Sequence, residues 1–92
     1  MALRAQGSDD SWVPNLSGSR QHRALVALGN AIREARLAKG ISQEKLALLA
    51  EVDRSYVGRV ERGDNNAALL TLVRIASALD MTVSKLMQRA GL

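Results

Sequence analysis

The side chains best suited to binding chemistry lie in one short segment, AEVDRSYVGRVERG at positions 50–63. Val57 and Val60 are three residues apart, which is the spacing of the buried side of a helix. The opposite arc of that helix then presents Arg54, Ser55, Gly58 and Arg59. A helix with cationic side chains and the free N–H groups of its first turn suits a phosphate-lined groove, and the major groove of B-DNA admits one helix. As isolated surface charges the two arginines would only make a helix soluble, so their place in the fold decides between these interpretations.

The residues just before this segment have the spacing of another short helix that would position it. Ser42 and Asp53 are both good N-capping residues, so we expect one helix to start at Gln43 and the next to run over about 54–61. The earlier helix would turn inward Leu46, Ala47 and Leu49. Ala47 is small enough to let the two helices cross closely, and Val52 in the turn fills the space between them. This arrangement is a helix-turn-helix.

Three further helices are predicted around this pair. A first helix over 20–38 follows from apolar residues at three- and four-residue steps, namely Leu25, Leu28, Ile32 and Ala35, and it stops at Gly40. A fourth helix is marked by Leu69, Leu72, Val73, Ala76 and Leu79. Thr82 caps a fifth helix, and Gly91 lies just past its end. We therefore expect an all-α, compact five-helix domain.

The first residues differ from the rest of the chain. They include the only proline and the only tryptophan and show no sustained apolar period. We expect a flexible N-terminal tail over residues 1–19 and one domain over residues 20–92. Trp12 is the residue of the tail best able to occupy a groove.

Composition and charge narrow the class of protein. Thirteen Lys and Arg against nine Asp and Glu give a net charge of +4, which is compatible with a polyanionic partner. There is no cysteine, and the single histidine, His22, has no carboxylate cluster near it, so we expect no metal site and no cofactor. Neither a base-activated nucleophile nor a glycine-rich phosphate loop is visible, so we expect no enzyme. No apolar run is long enough to span a membrane, and residues 1–16 lack the apolar region of a signal peptide, so we expect a cytoplasmic protein.

Residues 28–87 resemble the Cro and phage-repressor type of helix-turn-helix domain, which is lambda-repressor-like in fold. Within that superfamily they are most similar to small controller proteins of restriction–modification systems and related prokaryotic regulators. The matching motifs are IREAR, GISQEKLA, YVGRVERG and TLVRIASALDMTVSKL. The resemblance implies a sequence-specific transcriptional regulator that binds double-stranded DNA.

The resemblance also implies roles for individual residues. Gln43 matches a glutamine that binds phosphate and supports the recognition helix, and Tyr56 matches an aromatic that often reaches the sugar-phosphate strand. The positions that face bases or the adjoining backbone are Arg54, Ser55, Gly58 and Arg59. The loop that flanks the DNA holds Arg62, Asn65 and Asn66. Arg36 and Glu61 match an internal ion pair that ties the first helix to the end of the third.

Three residues depart from the pattern of the family. Glu51 stands where glycine is common in the turn, so either the backbone there is not left-handed or it bears a cost of about 1 kcal/mol. Gly58 stands where serine or another polar residue is common, which removes a possible contact but lets the backbone come closer to DNA. It also weakens the helix by about 0.5–1 kcal/mol relative to alanine. Asn65 stands where several relatives have a basic residue.

The last two helices have more apolar surface than a short terminal helix needs. Leu70 lies beside the core stripe, where a polar residue is expected, and the fifth helix adds Val83, Leu86 and Met87. These residues either finish the core of one chain or meet a second copy. Together with the resemblance they predict a homodimer on a palindromic operator, with two recognition helices about 34 Å apart. The alternative is an antitoxin-like module whose N-terminal tail binds a partner toxin while the domain regulates its own operon.

Overall fold

The computed structural model describes residues 22–92, which form five helices and, within that range, no strand. The helices are α1 (Arg23–Lys39), α2 (Gln43–Ala50), α3 (Arg54–Arg62), α4 (Leu69–Ala78) and α5 (Val83–Ala90). The all-α, five-helix architecture predicted from the sequence is therefore confirmed. The tail predicted over residues 1–19, with Trp12, lies outside the described residues.

Capping side chains set the starts of three helices. The hydroxyls of Ser42 and Thr82 accept hydrogen bonds from the backbone N–H groups of Lys45 and Lys85, each at 3.0 Å. Both caps were expected from the sequence. α1 begins at Arg23 rather than at 20, because His22 is its N-cap and its Nδ1 accepts from the backbone N–H of Ala24.

The start and the end of α3 differ from the prediction. Asp53 has the extended backbone of an N-cap, but its side chain makes no capping hydrogen bond. The carbonyl of Asp53 instead accepts from the N–H groups of Tyr56 and Val57. α3 runs one residue further than expected, to Arg62, and Gly63 follows it in the left-handed conformation.

The core joins all five helices. α1 packs on α3 and α5, α2 packs on α3 and α4, and α4 packs on α5. Each helix contributes one of the largest fully buried side chains, which are Ile32, Leu46, Val57, Ile75 and Leu86. Burying one such side chain stabilises a fold by about 1.5–3 kcal/mol. Since no helix contributes more than one of them, the position of each helix, including α3, depends on the helices around it.

Three residues of the predicted apolar stripes lie at the surface. Leu49 and Val73 are each 46% exposed and Leu69 is 67% exposed. A helical period identifies the direction of an apolar arc but not its buried width. On α4 the buried residues Leu72, Ile75 and Ala76 leave the neighbouring arc open to solvent.

The turn between α2 and α3 contains a left-handed residue that is not glycine. Glu51 has φ 61° and ψ 45°, and its N–H bonds back to the carbonyls of the last turn of α2. Of the two alternatives posed by the sequence, the left-handed backbone with its conformational cost is the one that the structure contains.

Replacing Glu51 by glycine should therefore stabilise the domain by about 1 kcal/mol. In a domain of this size that raises Tm by about 4–8 °C in a thermal melt followed by circular dichroism. Gly40→Ala is the matched control, because Gly40 has φ 76° and nothing within 4 Å of the added Cβ, so only the backbone cost changes. We expect Gly40→Ala to lower Tm. A lower Tm for Glu51→Gly would mean that the Glu51 side chain stabilises the fold.

Candidate nucleic-acid interface

α3 has a buried inner arc and an exposed outer arc. Val57, Val60 and Glu61 are buried on the inner side. The outer side presents to solvent Arg54, Ser55, Arg59 and Arg62. A helix of nine residues does not stand alone in water, so the orientation of the outer arc depends on what holds the inner one.

The carboxylate of Glu61 holds the inner arc to two other helices. Its Oε2 accepts from Arg36 Nε at 2.7 Å and its Oε1 accepts from Arg36 Nη2 at 3.1 Å. Gln43 Nε2 of α2 donates to the same Oε1 at 3.0 Å. Arg36 is itself fixed by the carbonyl of Ile41, which accepts from Nη1 at 3.0 Å. The ion pair implied by the family resemblance is thus present, and Gln43 supports α3 by joining it.

A glycine on α1 permits the close approach that this network needs. A Cβ added at Gly29 would lie 2.4 Å from the carbonyl oxygen of Val60 and 2.5 Å from that of Glu61. α1 and the last turn of α3 therefore meet backbone to backbone, and no side chain fits between them. Sequence reasoning missed Gly29, although a glycine inside the helical run LGNAI is a signal of close approach.

Tyr56 and Arg59 lie side by side at the edge of the outer arc. Tyr56 is half-buried against the core, and the guanidinium carbon of Arg59 is 5.8 Å from the centroid of its ring. This distance is within the range of a cation–π contact. Arg59 remains exposed, so its guanidinium is oriented by the ring while still accessible to solvent.

Two residues of α3 differ from their expected placement. Gly58, expected to open the backbone toward DNA, is buried, because the side chains of Arg62 and Gln43 lie over it. Arg62, expected in the flanking loop, is the last residue of α3. Its Nε donates to Oδ2 of Asp64 at 3.1 Å. Asp64 was not singled out from the sequence, because a carboxylate in a turn cluster gives no signal of its partner.

The loop after α3 borders the same surface. Asn65 is half-buried and Asn66 is exposed. The exposed arginines of α3 have two acidic neighbours in the chain, Asp53 before the helix and Asp64 after it. The positive charge therefore lies along the whole arc, at Arg54, Arg59 and Arg62, with one carboxylate beyond each end.

The residues predicted for an interface between two copies separate into two groups. Leu70 on α4 is 72% exposed, so its side chain is available to a second chain. Leu86 is 0% exposed and belongs to the core of its own chain, so its assignment to a dimer interface is wrong. α5 packs against α1 and α4, and Leu86 lies in the core that these helices share. Val83 and Met87 are half-buried and pack against the same core.

Residues 22–92 contain no cluster of His, Asp or Glu side chains that is arranged to hold a metal ion. Over the same residues no helix combines the length and the apolar character needed to cross a membrane. The suggested role of the N-terminal tail in binding a protein partner lies outside the described residues.

Comparison with known proteins agrees with this geometry. Residues 32–86 match the family model described as helix-turn-helix. The chain belongs to the helix-turn-helix family. Control protein C.SmaI of Serratia marcescens is 42% identical over 65 residues, which cover 71% of this chain and 77% of that protein.

Solved structures with a similar fold are also known. The restriction-modification controller protein C.AhdI from Aeromonas hydrophila has a TM-score of 0.69 at 49% identity, covering 71% of this chain and 98% of that chain. The clp gene regulator ClgR from Corynebacterium glutamicum has a TM-score of 0.72 at 29% identity, covering 74% of this chain and 72% of that chain. This helix-turn-helix protein is thus a DNA-binding transcription regulator, and its family consists of transcription regulators rather than enzymes. α3 is the second helix of the motif, which is the recognition helix in proteins of this kind.

The ion pair predicts a specific pattern of stability changes. Glu61→Gln should destabilise the domain by about 3–5 kcal/mol, because it leaves the buried guanidinium of Arg36 without a counter-charge. The double variant Arg36→Met/Glu61→Leu should cost less than Glu61→Gln alone, since it removes both buried charges. Urea unfolding followed by circular dichroism measures each free energy of unfolding.

Arg33→Met is the matched control, because Arg33 is an exposed arginine on the same helix. We expect its free energy of unfolding to stay within about 0.5 kcal/mol of the wild-type value. If the double variant is the least stable of the set, the two charges do not depend on each other in this way.

Proposed function

We propose that this protein is a sequence-specific transcriptional regulator that binds a palindromic operator in double-stranded DNA as a homodimer, and that it controls a restriction–modification system. The observation that carries the proposal is the division of α3, whose inner arc is fixed by buried contacts while its outer arc presents arginines to solvent. Two similar proteins support the finer assignment, since one is named a control protein and the other a restriction-modification controller protein. A regulator of prokaryotic transcription would act in the cytoplasm.

Each residue of the surface has a chemical role in this proposal. Arg54 lies in the first turn of α3, where a long side chain reaches base edges in the major groove, and a guanidinium there bonds O6 and N7 of guanine together. Ser55 lies beside it on the exposed arc. Arg59, oriented by Tyr56, meets the adjoining backbone or bases. Gln43 holds α3 through Glu61 and lies in the first turn of α2, the helix that crosses the phosphate strand in this motif.

Arg62 and Asn65 complete the surface at the far end of α3. Arg62 remains largely exposed beside Asp64, with 62% of its side chain accessible. Asn65 follows in the loop that flanks the duplex in the proposed complex. An amide in place of a basic residue keeps a hydrogen-bond donor there but brings no positive charge of its own.

A second copy of the chain is the proposed occupant of the apolar surface on α4. Leu69, Leu70 and Val73 share this exposed arc, and Leu49 of α2 meets Val73 in the adjoining groove. An isologous contact through these residues would give a closed two-fold dimer. Because α4 follows α3 directly in the chain, such a contact also fixes the separation of the two recognition helices. Val83 and Met87 contribute only the parts that the core leaves exposed.

Leu70→Glu should convert the dimer into a monomer, because it places a carboxylate at the centre of the apolar surface. Sedimentation at micromolar concentration measures the mass of each form. Leu37→Glu is the matched control, since Leu37 is 52% exposed but lies on the solvent arc of α1. We expect this variant to remain dimeric. A wild-type chain that sediments only as a monomer, and binds one copy per duplex, would refute the dimer.

Arg54→Ala and Lys45→Ala should differ in what they do to DNA binding. Selection from a random duplex pool first gives the preferred operator of the wild-type chain. Affinities for that operator and a scrambled duplex are then measured over a salt series. Arg54→Ala should weaken operator binding by about 5- to 150-fold more than scrambled binding, which is the effect of one bidentate base contact.

Lys45 provides the comparison because it is exposed on α2, which crosses the phosphate strand in this motif. Lys45→Ala should weaken both duplexes alike, and it should reduce the salt slope by no more than about one unit per chain. Equal losses on both duplexes for Arg54→Ala would make this arginine a phosphate anchor. No loss on either would show that α3 does not read DNA.

A further inference from the structure

Gly58 is buried in the middle of α3 although its neighbours on the outer arc are exposed. A Cβ added there would lie 3.2 Å from Nη1 of Arg62 and 3.8 Å from Oε1 of Gln43. The nearer distance is tighter than an ordinary carbon–nitrogen contact, so an added Cβ would shift the guanidinium by a few tenths of an ångström. Gly58 is thus covered by Arg62, and its missing side chain provides the space.

The direction of the Arg62 side chain explains how it reaches Gly58. Side chains on a helix lean toward its N-terminus, so a residue covers the surface one turn before its own Cα. Arg62 is four residues after Gly58 and eight after Arg54, which places the three on one row along α3. The backbone of Arg62 is about 12 Å from that of Arg54. With its guanidinium over Gly58, Arg62 presents its charge about one turn closer to the base-reading end.

Asp64, in the loop after α3, holds the guanidinium of Arg62 on the side opposite Gly58. Its Oδ2 accepts from Nε of Arg62 at 3.1 Å, so the Nε edge of the guanidinium faces the loop while Nη1 lies over Gly58. Asp64 itself is only 19% exposed, whereas the Arg62 side chain is 62% exposed. The carboxylate therefore fixes the guanidinium while leaving its outer edge accessible.

We propose that Arg62 reads a base pair of the operator beside the one read by Arg54, and that Gly58 is the residue that positions it. The proposal rests on the proposed DNA-binding function of α3. Because Gly58 has no side chain, the middle of α3 makes no side-chain contact with a base at this point. The longer, cationic side chain of Arg62, from the last turn of the helix, makes the contact instead. The specificity of this protein at that base pair depends on a pair of residues rather than on one.

The test is a double-variant cycle on the full chain, with operator obtained by selection from a random duplex pool. Selectivity is the ratio of affinities for the operator and a scrambled duplex. Arg62→Ala should lower selectivity by about 5- to 150-fold, because it removes the base contact. Gly58→Ala should lower selectivity by a smaller factor, because the added methyl group shifts the guanidinium of Arg62 by a few tenths of an ångström. Adding Gly58→Ala to Arg62→Ala should change selectivity by less than twofold.

Stability is measured in parallel. Gly58 lies inside α3, so alanine fits its backbone and should keep or raise Tm, which separates a lost contact from a lost fold. Asn30→Ala is the matched control, because Asn30 is exposed on α1 and the change also favours helix. Its selectivity should equal that of the wild type.

Three results would overturn the proposal. If Gly58→Ala lowers selectivity equally with and without Arg62, the methyl group itself obstructs the duplex. If Arg62→Ala weakens both duplexes by the same factor, Arg62 meets only phosphate. If Gly58→Ala leaves selectivity unchanged, Gly58 does not position Arg62. A wild-type chain that enriches no sequence from the pool is a separate outcome, because it refutes the proposed function itself.

Discussion

The bidentate contact between Arg36 and Glu61 is the interaction on which the orientation of the reading surface depends. It is buried, with Arg36 7% and Glu61 5% exposed, and Gln43 adds a third donor to the same carboxylate. Three helices are joined at one side chain, since the arginine belongs to α1, the glutamine to α2 and the glutamate to α3. A buried pair of this kind adds little net stability over apolar packing, because removing the charges from water costs about as much as their attraction returns. What it provides is direction, because two parallel hydrogen bonds fix both the distance and the angle between the groups.

That constraint explains how so short and polar a helix is held in the orientation that the proposed function requires. α3 places two valines in the core, and its remaining anchors are the carboxylate network and the backbone contact with Gly29. All of these lie on the inner arc. The outer arginines therefore have little part in holding the helix in place, and on the proposed function we expect substitutions among them to change binding without changing the fold. Arg62 is the exception, because it is coupled to Gly58 and Asp64 and so belongs partly to the architecture.

Sequence signals within a few residues predicted the helix caps. The burial of individual residues depends on contacts between helices, which such signals do not show. Ser42 and Thr82 were recognisable as caps because a hydroxyl before a helical pattern has one partner, the N–H three residues on. Leu86 was predicted to lie in an interface because the spacing of apolar residues in α5 indicates an apolar face. That spacing does not show that other helices of the same chain cover the face. The burial of Gly58 had no sequence signal of its own, since it depends on the conformation of the Arg62 side chain, which lies over Gly58 from one turn later. Family resemblance supplied the Arg36–Glu61 pair, whose members are 25 residues apart in the chain. No periodicity links residues at that separation.

The exposed apolar arc of α4 is explained by the limited sequence preference that a single recognition helix provides. In a helix-turn-helix, three or four side chains reach base edges, and each good contact discriminates by about 1–3 kcal/mol. One chain therefore offers about 3–12 kcal/mol of preference, with a middle value near 7. Competition from about 10⁶ other sites requires about 8 kcal/mol before a single operator is favoured. At that middle value a lone copy of α3 falls short of the requirement by about 1 kcal/mol, whereas two copies joined rigidly offer about 14 kcal/mol and exceed it. The exposed side chains of Leu69 and Leu70 lower the solubility of a single chain. On the proposed function this cost is offset, because a second copy covers both leucines and doubles the length of the DNA sequence that is read.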